Sequence, residues 1–438
     1  MAPTILIVGA TGNTGQAVVE TLPKLLQSSN ALSDHRVIAL TRSSKSPVAQ
    51  RLAKVPGVEV IEQNWVDITS DWLREHQVTR AFIAPHNDPN AFAEESTFHI
   101  AALNAGVKYV VRISTTAANV RADCPAYYAR THWAIEALLS SPEFTNLQWT
   151  SLQPNIFSAF YLSGAVEFIK QYRKTGKQGD LKLIASKDAP VGVIDPSEVG
   201  VFAAHLLSQE DTSVHNKAKY VLNGPEDITG QQIVDLVEQY IGTQVEKVIY
   251  QDKSFLDQLW EYRYAASNES KNVIFSVKHA PVTAWEGKCS ASTTSKEVLE
   301  IAAPKITPTE VLKGLLEEIG IWTEPQDIVS WRLKTYIEKD TSAVPTEPAL
   351  DEDSRVVIVA SSETTATTLA STLYYLTKNP AILSKLQSHL DEGMPEETLR
   401  LRPVLMMGGY RVTPAEGIHV GEMYIPRGVS VFVLVQLV

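Results

Sequence analysis

Apolar positions in the first third of the chain fall into short continuous runs, separated by longer stretches where they recur at helical spacing. The runs are Thr4–Val8, Arg36–Thr41, 58–61, 80–84, Tyr109–Ile113 and 148–152. Continuous runs of this length, bounded by polar or glycine-containing segments, read as strands buried on both faces. Between the first two, Val18, Val19, Leu22, Leu25 and Leu26 lie on one face of a helix that begins after Gly15. Pro23 within it is expected to bend that helix or limit its length. A second helical run, 128–139, ends near Ser141 and Pro142. Strands alternating with helices predict an α/β architecture, a Rossmann-like doubly wound parallel sheet.

After residue 156 the alternation becomes irregular. Val193 and Ile194 lead through Asp195 and Pro196 into a helix start at which Ser197 is a candidate N-cap. Tyr220, Val221 and Leu222, then Gly224 and Pro225 and a helix from about Thr229, repeat that design. These segments predict later elements of the same domain together with a smaller substrate-covering region. The acidic, proline-containing stretch 341–354 reads as a linker. The expected organisation is a dinucleotide-binding core at 1–155, remaining elements at 156–340, the linker, and a mainly helical segment at 355–438.

Length and composition narrow the function classes. A chain of 438 residues with 44% hydrophobic and 20% charged residues has enough apolar material for more than one domain. A formal net charge of -11 argues against a nucleic-acid partner, because phosphate binding needs a concentrated basic surface. Cys124 and Cys289 are the two cysteines. They make neither a disulfide framework nor a zinc site, so no metal is expected and a reducing compartment fits. The start of the chain lacks the charged segment and cleavage site of a signal peptide, and no run approaches the ~20 apolar residues of a membrane span. The apolar run 429–438 is too short to cross a bilayer. A cytoplasmic location is expected.

The first strand leads at once into Gly9, Ala10, Thr11, Gly12, Asn13, Thr14 and Gly15, and then into a helix. The first glycine permits the tight turn, the second lets backbone approach a pyrophosphate, and the third lets helix and strand pack. The helix N-terminus supplies amide donors and a favourable dipole. Gly9, Thr11, Gly12, Asn13, Thr14 and Gly15 are therefore expected to hold a dinucleotide. At the end of the second strand, where an acidic residue would bind a ribose 2′-hydroxyl, the chain has Leu40, Thr41, Arg42, Ser43, Ser44 and Lys45. Arg42, helped by Thr41 or Ser43, suits a 2′-phosphate, which favours NADP(H).

A GATGxTG opening resembles the atypical short-chain dehydrogenases. Residues 106–111 before Ser114, residues 149–157, the stretch 132–136 and residues 220–226 resemble their NmrA-like branch, over roughly residues 3–320. That branch holds both reductases and redox-sensing regulators. Short-chain dehydrogenases use Tyr-x-x-x-Lys, in which tyrosine transfers a proton while lysine lowers its pKa and holds the nicotinamide ribose. Here the matching positions are Tyr128 and His132, with Glu136 one turn further on. A neutral histidine carries no permanent charge and would activate tyrosine less. The resemblance implies that Tyr128 donates a proton, that Ser114 polarises the substrate carbonyl, and that Asn155 and Phe157 line the nicotinamide and substrate end. Glu136 is expected to cap a loop or pair at the surface.

From about residue 355 the sequence changes character. Glu363 and Thr364 in a long helical run, Glu397 to Arg400, Arg411 to Pro414 and Tyr424 to Gly428 resemble, in order, parts of a cytochrome P450. P450 chemistry needs an axial thiolate, and no cysteine follows Cys289. This segment therefore reads as a truncated fragment for which neither haem nor monooxygenase activity is expected. Its apolar end is a candidate self-association surface. The expected function is NADPH-dependent reduction of a carbonyl or conjugated double bond in a small, aromatic or polyketide-like secondary metabolite. The alternative is a non-catalytic NADP(H)-binding regulator.

Overall fold

A computed structural model of the chain describes residues 2–29, 31–254, 256–257 and 270–317, and the backbone of four short strands between 409 and 433. Its strands are β1 (Thr4–Val8), β2 (Arg36–Thr41), β3 (Val58–Glu62), β4 (Val78–Ile83), β5 (Tyr109–Ile113), β6 (Gln148–Pro154), β7 (Leu181–Lys182), β8 (Ala218–Leu222) and β9 (Val248–Ile249). The helices used below are α1 (Gly15–Gln27), α2 (Pro47–Leu52), α3 (Ser70–Glu75), α4 (Ala91–Ala105), α5 (Tyr127–Leu139), α6 (Ser158–Tyr161), α7 (Ser163–Thr175), α8 (Pro196–Leu207) and α9 (Gly230–Ile241).

Seven strands form one parallel sheet in the order β3-β2-β1-β4-β5-β6-β8. Strand geometry sends alternate side chains to opposite faces. Ile5 and Ile7 thus join the core beneath α1 and α8, with Val18, Leu22, Val199 and Phe202. Leu6 and Val8 join the opposite core with Phe98 and Ala102 of α4 and Ile135 and Leu139 of α5. Both faces are covered, which is why the strands read as continuous apolar runs. The predicted doubly wound parallel sheet is the observed one.

Local differences from the sequence reading have local causes. Pro23 stands inside α1 without ending it, and the helix continues to Gln27. The N-cap of α8 is Asp195, not Ser197: Asp195 Oδ1 accepts from the Ser197 backbone N–H at 2.9 Å, with Pro196 in the first helical turn. The strand expected at Val193 and Ile194 reduces to one bridge, between Phe157 and Ile194. By contrast, β8 joins the main sheet, and Thr229 opens α9 in a capping box with Gln232.

A second apolar core lies beside the sheet. Ile169 of α7, Leu183 after β7, Ile233 and Val237 of α9, and Leu312 of the helix Pro308–Glu317 belong to it. β7 and β9 pair in a separate small sheet.

The chain divides into two compact units, Met1–Ile319 and Gly320–Val438. In the second, Gly409–Val412 pairs antiparallel with Ser430–Val433, and Ile418–Val420 with Met423–Ile425. The expected linker 341–354 and the helical runs around Glu363 and Glu397 lie outside the described residues. No described helix is long and apolar enough to cross a membrane, and no metal-binding cluster of His, Cys, Asp or Glu occurs among the described residues.

Candidate active site

The strand order reverses between β1 and β4, because β2 and β3 extend to one side of β1 and β4, β5, β6 and β8 to the other. Ligands of open α/β sheets bind in the crevice at the carboxyl ends of the strands at such a point. A cleft of about 1200 Å³ opens there. That exceeds the ~300–1,000 Å³ of an ordinary small-ligand pocket, so a dinucleotide and a second molecule can share it.

The glycine loop forms one wall. Gly9 has φ +80°, a conformation that side-chain-bearing residues rarely adopt, and the Gly12 N–H donates to the Gly9 carbonyl at 2.9 Å. A Cβ on Gly15 would lie 2.1 Å from the Gly9 carbonyl oxygen, so only glycine lets α1 start that close to the turn. Thr14 makes no side-chain cap, and no acidic residue stands in the first turn of α1. The positive end of the helix is thereby left for an anion. Loop, close approach and uncapped helix end together fit a pyrophosphate.

Arg42 follows β2 at the rim of the cleft, exposed, and has no ion pair among the described residues. Its neighbours are committed elsewhere. Thr41 Oγ1 donates to the Ser43 carbonyl at 3.0 Å and accepts from the Ser43 N–H at 3.2 Å. Ser44 donates through N–H and Oγ to Glu62, which holds the Glu62 carboxyl below its ordinary range. Thr41 therefore shapes the turn that presents Arg42 and is not itself free for a phosphate.

Across the reversal point, Ser114, Tyr128 and His132 all line the cleft. Ser114 follows β5 and is buried; its Oγ has no hydrogen-bond partner. A buried hydroxyl without a partner, on a residue that lines the cleft, is left free to bond a ligand oxygen. Tyr128, in the first turn of α5, meets Thr115, whose Oγ1 donates to Tyr128 Oη at 3.5 Å. Burial pushes the Tyr128 phenol up, only partly offset by Thr115. It is accordingly protonated at neutral pH.

His132 does not take up the lysine's activating role. Its ring stands edge-on to Tyr128, with centroids 6.3 Å apart, and both ring nitrogens are engaged elsewhere. Arg112 Nη2 donates to His132 Nδ1 at 2.8 Å, and His132 Nε2 pairs with Asn87 Oδ1 at 2.9 Å. Guanidinium has no acceptor, so Nδ1 is the bare nitrogen and Nε2 carries the proton. Burial, reinforced by the Arg112 charge, lowers His132 to about 4, so it is neutral near pH 7.

Arg112 anchors a buried network that sequence reasoning missed. It donates through Nε and Nη2 to Glu95 of α4 at 2.7 and 3.1 Å and through Nη1 to Ser151 at 2.9 Å. Burial would raise Glu95, but the Arg112 charge and the hydrogen bonds from His99 and Arg112 outweigh it and hold Glu95 at about 2. Glu136 belongs to the same network and not to the surface. It accepts from Ser151 Oγ at 2.7 Å and Gln153 Nε2 at 3.0 Å, and pairs with Lys219 at 3.0 Å. The available sequence signal was one charged residue in the apolar strand Tyr109–Ile113.

Asn155 also departs from expectation. It lies at the cleft wall, but its Nδ2 donates to Gly192 O, Asn223 Oδ1 and Cys289 O, at 3.0, 2.7 and 2.8 Å. Its Oδ1 accepts from the Ile156 N–H at 2.9 Å. The amide ties three segments together, so Asn155 shapes the wall of the cleft. Phe157 also lines the cleft, joined by Phe160, Ile184, Val277, Ala280 and Pro281. The segment carrying the last three is fastened over the cleft: Asn119 Nδ2 donates to Ala280 O at 3.0 Å, and the Tyr127 N–H to Ser276 Oγ at 3.0 Å.

Sheet order, glycine loop and crevice define a Rossmann-type doubly wound fold. More narrowly, the NmrA-like family model matches residues 1–281, well over half of the chain, and the chain belongs to that family. Solved structures with this fold include an NADPH complex of the quinone oxidoreductase QOR2 from Escherichia coli (22% identity, TM-score 0.54, 71% of this chain and 99% of that one). A triphenylmethane reductase from Citrobacter sp. in complex with NADP(H) matches at 21% identity and TM-score 0.52, over 72% of this chain and 100% of that one. NmrA, a negative transcriptional regulator, in complex with NADP, matches at 14% identity and TM-score 0.52, over 74% of this chain and 98% of that one.

A cytochrome P450 family model matches residues 323–438. Cytochrome P450 monooxygenase eupD from Phoma sp. is 39% identical over 129 residues, which are 25% of this chain and 45% of that protein. Another, orf5 from Eupenicillium brefeldianum, is 39% identical over 116 residues, 23% of this chain and 24% of that protein. The chain thus spans less than half of the P450 relatives it matches.

Proposed function

We propose that residues 1–317 form an NADPH-dependent oxidoreductase that reduces a carbonyl or conjugated double bond of a small, apolar, aromatic or polyketide-like molecule. The observation that carries it is the pairing, in one cleft, of an unsatisfied Ser114 hydroxyl with a protonated Tyr128 phenol opposite the glycine loop. NADPH would supply the hydride. Arg42 is placed for its 2′-phosphate, and the N-terminal end of α1 for its pyrophosphate. Ser114 Oγ donates to the acceptor oxygen, and Tyr128 Oη releases a proton to that oxygen as its negative charge grows.

A tyrosine pushed up by burial, with no lysine beside it, stays protonated at neutral pH and enters the reduction as the acid. Phe157, Phe160, Val277 and Pro281 favour a flat apolar substrate. That the named reductases of this fold act on quinones and triphenylmethane dyes agrees with such a preference.

A second reading is an NADP(H)-binding regulator, favoured by the commitment of both His132 nitrogens away from Tyr128. NADPH oxidation against a panel of quinones, enones and aromatic ketones separates the two. Reduction predicts turnover that falls at least tenfold in Tyr128→Phe with cofactor affinity retained. Tight NADP(H) binding without turnover on any acceptor would establish the regulator instead.

A further inference from the structure

The network below the cleft does more than neutralise charge, because its hydrogen bonds have a fixed direction. Arg112 can only donate, so His132 must accept at Nδ1 and donate from Nε2, and Asn87 must then present its carbonyl oxygen to His132. Glu95 fixes the start of this chain by holding Arg112 through two nitrogens, at 2.7 and 3.1 Å. The orientation of the Asn87 carboxamide, which would otherwise be free to flip, is settled by a buried guanidinium two side chains away.

The consequence appears at the other end of the amide. Asn87 sits in the loop after β4, is exposed, and lines the cleft. Its Nδ2 group has no hydrogen-bond partner among the described residues. In a doubly wound sheet the two halves of a dinucleotide lie on either side of the reversal point. Here Arg42 follows β2 on one side, whereas Asn87 follows β4 on the other, with Ser114 after β5 beyond it.

We propose that Asn87 binds the nicotinamide-side ribose of the cofactor through Nδ2, with Glu95, Arg112 and His132 acting as positioning residues that aim this donor. The proposal rests on the NADP(H) reading above. It gives His132 a task compatible with its geometry: directing a neutral donor at the ribose in a chain with no lysine four residues after Tyr128. The ribose hydroxyl oxygen accepts the hydrogen bond, and no proton is transferred.

Calorimetric titration of the full chain with NADP+ and with adenosine 2′,5′-bisphosphate, which lacks the nicotinamide half, tests this. Asn87→Ala should weaken NADP+ binding about tenfold, the worth of one such hydrogen bond, and leave the bisphosphate within twofold of wild type. His132→Gln, which can still accept from Arg112 and donate to Asn87, should stay within about threefold for both ligands. Nitrogen NMR of the folded protein should show His132 protonated at Nε2 and bare at Nδ1 between pH 6 and 8. Unchanged NADP+ affinity in Asn87→Ala, equal weakening of both ligands, or the opposite tautomer overturns the proposal alone. A wild-type chain that binds neither ligand overturns it together with the reading beneath it.

Discussion

Replacing Arg112 by methionine tests the buried network directly. The substitution keeps a long apolar side chain in the strand and removes the buried cation held against Glu95 at 2.7 Å and 3.8 Å from Glu136. Both carboxylates are almost wholly buried, and breaking a buried ion pair from one side costs about 3–5 kcal/mol. At pH 7 the variant should lose that much stability. The pH dependence carries the sharper signature. In the wild type, His132 sits at about 4 against an ordinary 6.5, so the unfolded chain binds the extra proton and stability falls as pH falls through that window. The shift corresponds to about 3 kcal/mol. Glu95, at about 2 against 4.5, adds a further loss below pH 4.5. In Arg112→Met, Glu95 keeps its burial and loses its main lowering partner, so its folded pKa rises and its contribution to stability is lost as pH rises, whereas Glu136 keeps Lys219, Ser151 and Gln153. Urea unfolding of both proteins at pH 5, 6, 7 and 8, followed by tryptophan fluorescence with Trp149 buried in the adjacent strand, measures the slopes. Wild-type stability should increase from pH 5 to 7, and that increase should shrink or reverse in Arg112→Met, because burial still lowers His132 there. A loss under 1 kcal/mol at pH 7, or a variant slope as steep as the wild type's, would refute the electrostatic account.

Ser114→Ala removes a buried hydroxyl with no partner, so thermal stability should stay within about 0.5 kcal/mol of wild type or rise slightly. Its NADPH-dependent turnover of a quinone should fall at least tenfold, and a stability loss above 1 kcal/mol would mean that the hydroxyl is bonded after all. Arg42→Ala should weaken NADPH binding by about 10–100-fold, the range of a charge-assisted hydrogen bond, with little effect on NADH. Fluorescence titration with both nucleotides reads the ratio, and an unchanged ratio would remove Arg42 from the phosphate site.

What was legible in the sequence is what local chemistry decides. The glycine loop is encoded within seven residues, and its steric demand at Gly15 comes from Gly9 in the same turn. The strands were legible because both sheet faces are covered, which makes them continuously apolar. The polar interior was not legible, since its partners are distant along the chain. Arg112 meets Glu95 17 residues away and Ser151 39 residues away. Asn155 illustrates the same limit, because its acceptor at Cys289 is 134 residues on and nothing near it announces that bond. The N-cap of α8 was misread by two positions for a smaller reason. Asp195 and Ser197 can both cap, and Pro196 between them fits the first turn, which places the cap at Asp195.

The histidine at position 132 is better understood from this network than from a comparison with lysine. Arg112 and Lys219 carry two positive charges, and Glu95 and Glu136 two negative ones, so the cluster is formally balanced with His132 neutral. A lysine there would add an uncompensated buried cation. It would also offer no acceptor to Arg112 Nη2, which now bonds a ring nitrogen at 2.8 Å. An active site built on a Tyr–Lys pair and this buried arginine make incompatible demands on the same position. With arginine in place and no lysine beside it, the tyrosine stays protonated at neutral pH. The buried charge arrangement thereby ties fold stability and the orientation of Asn87 to one side chain on β5.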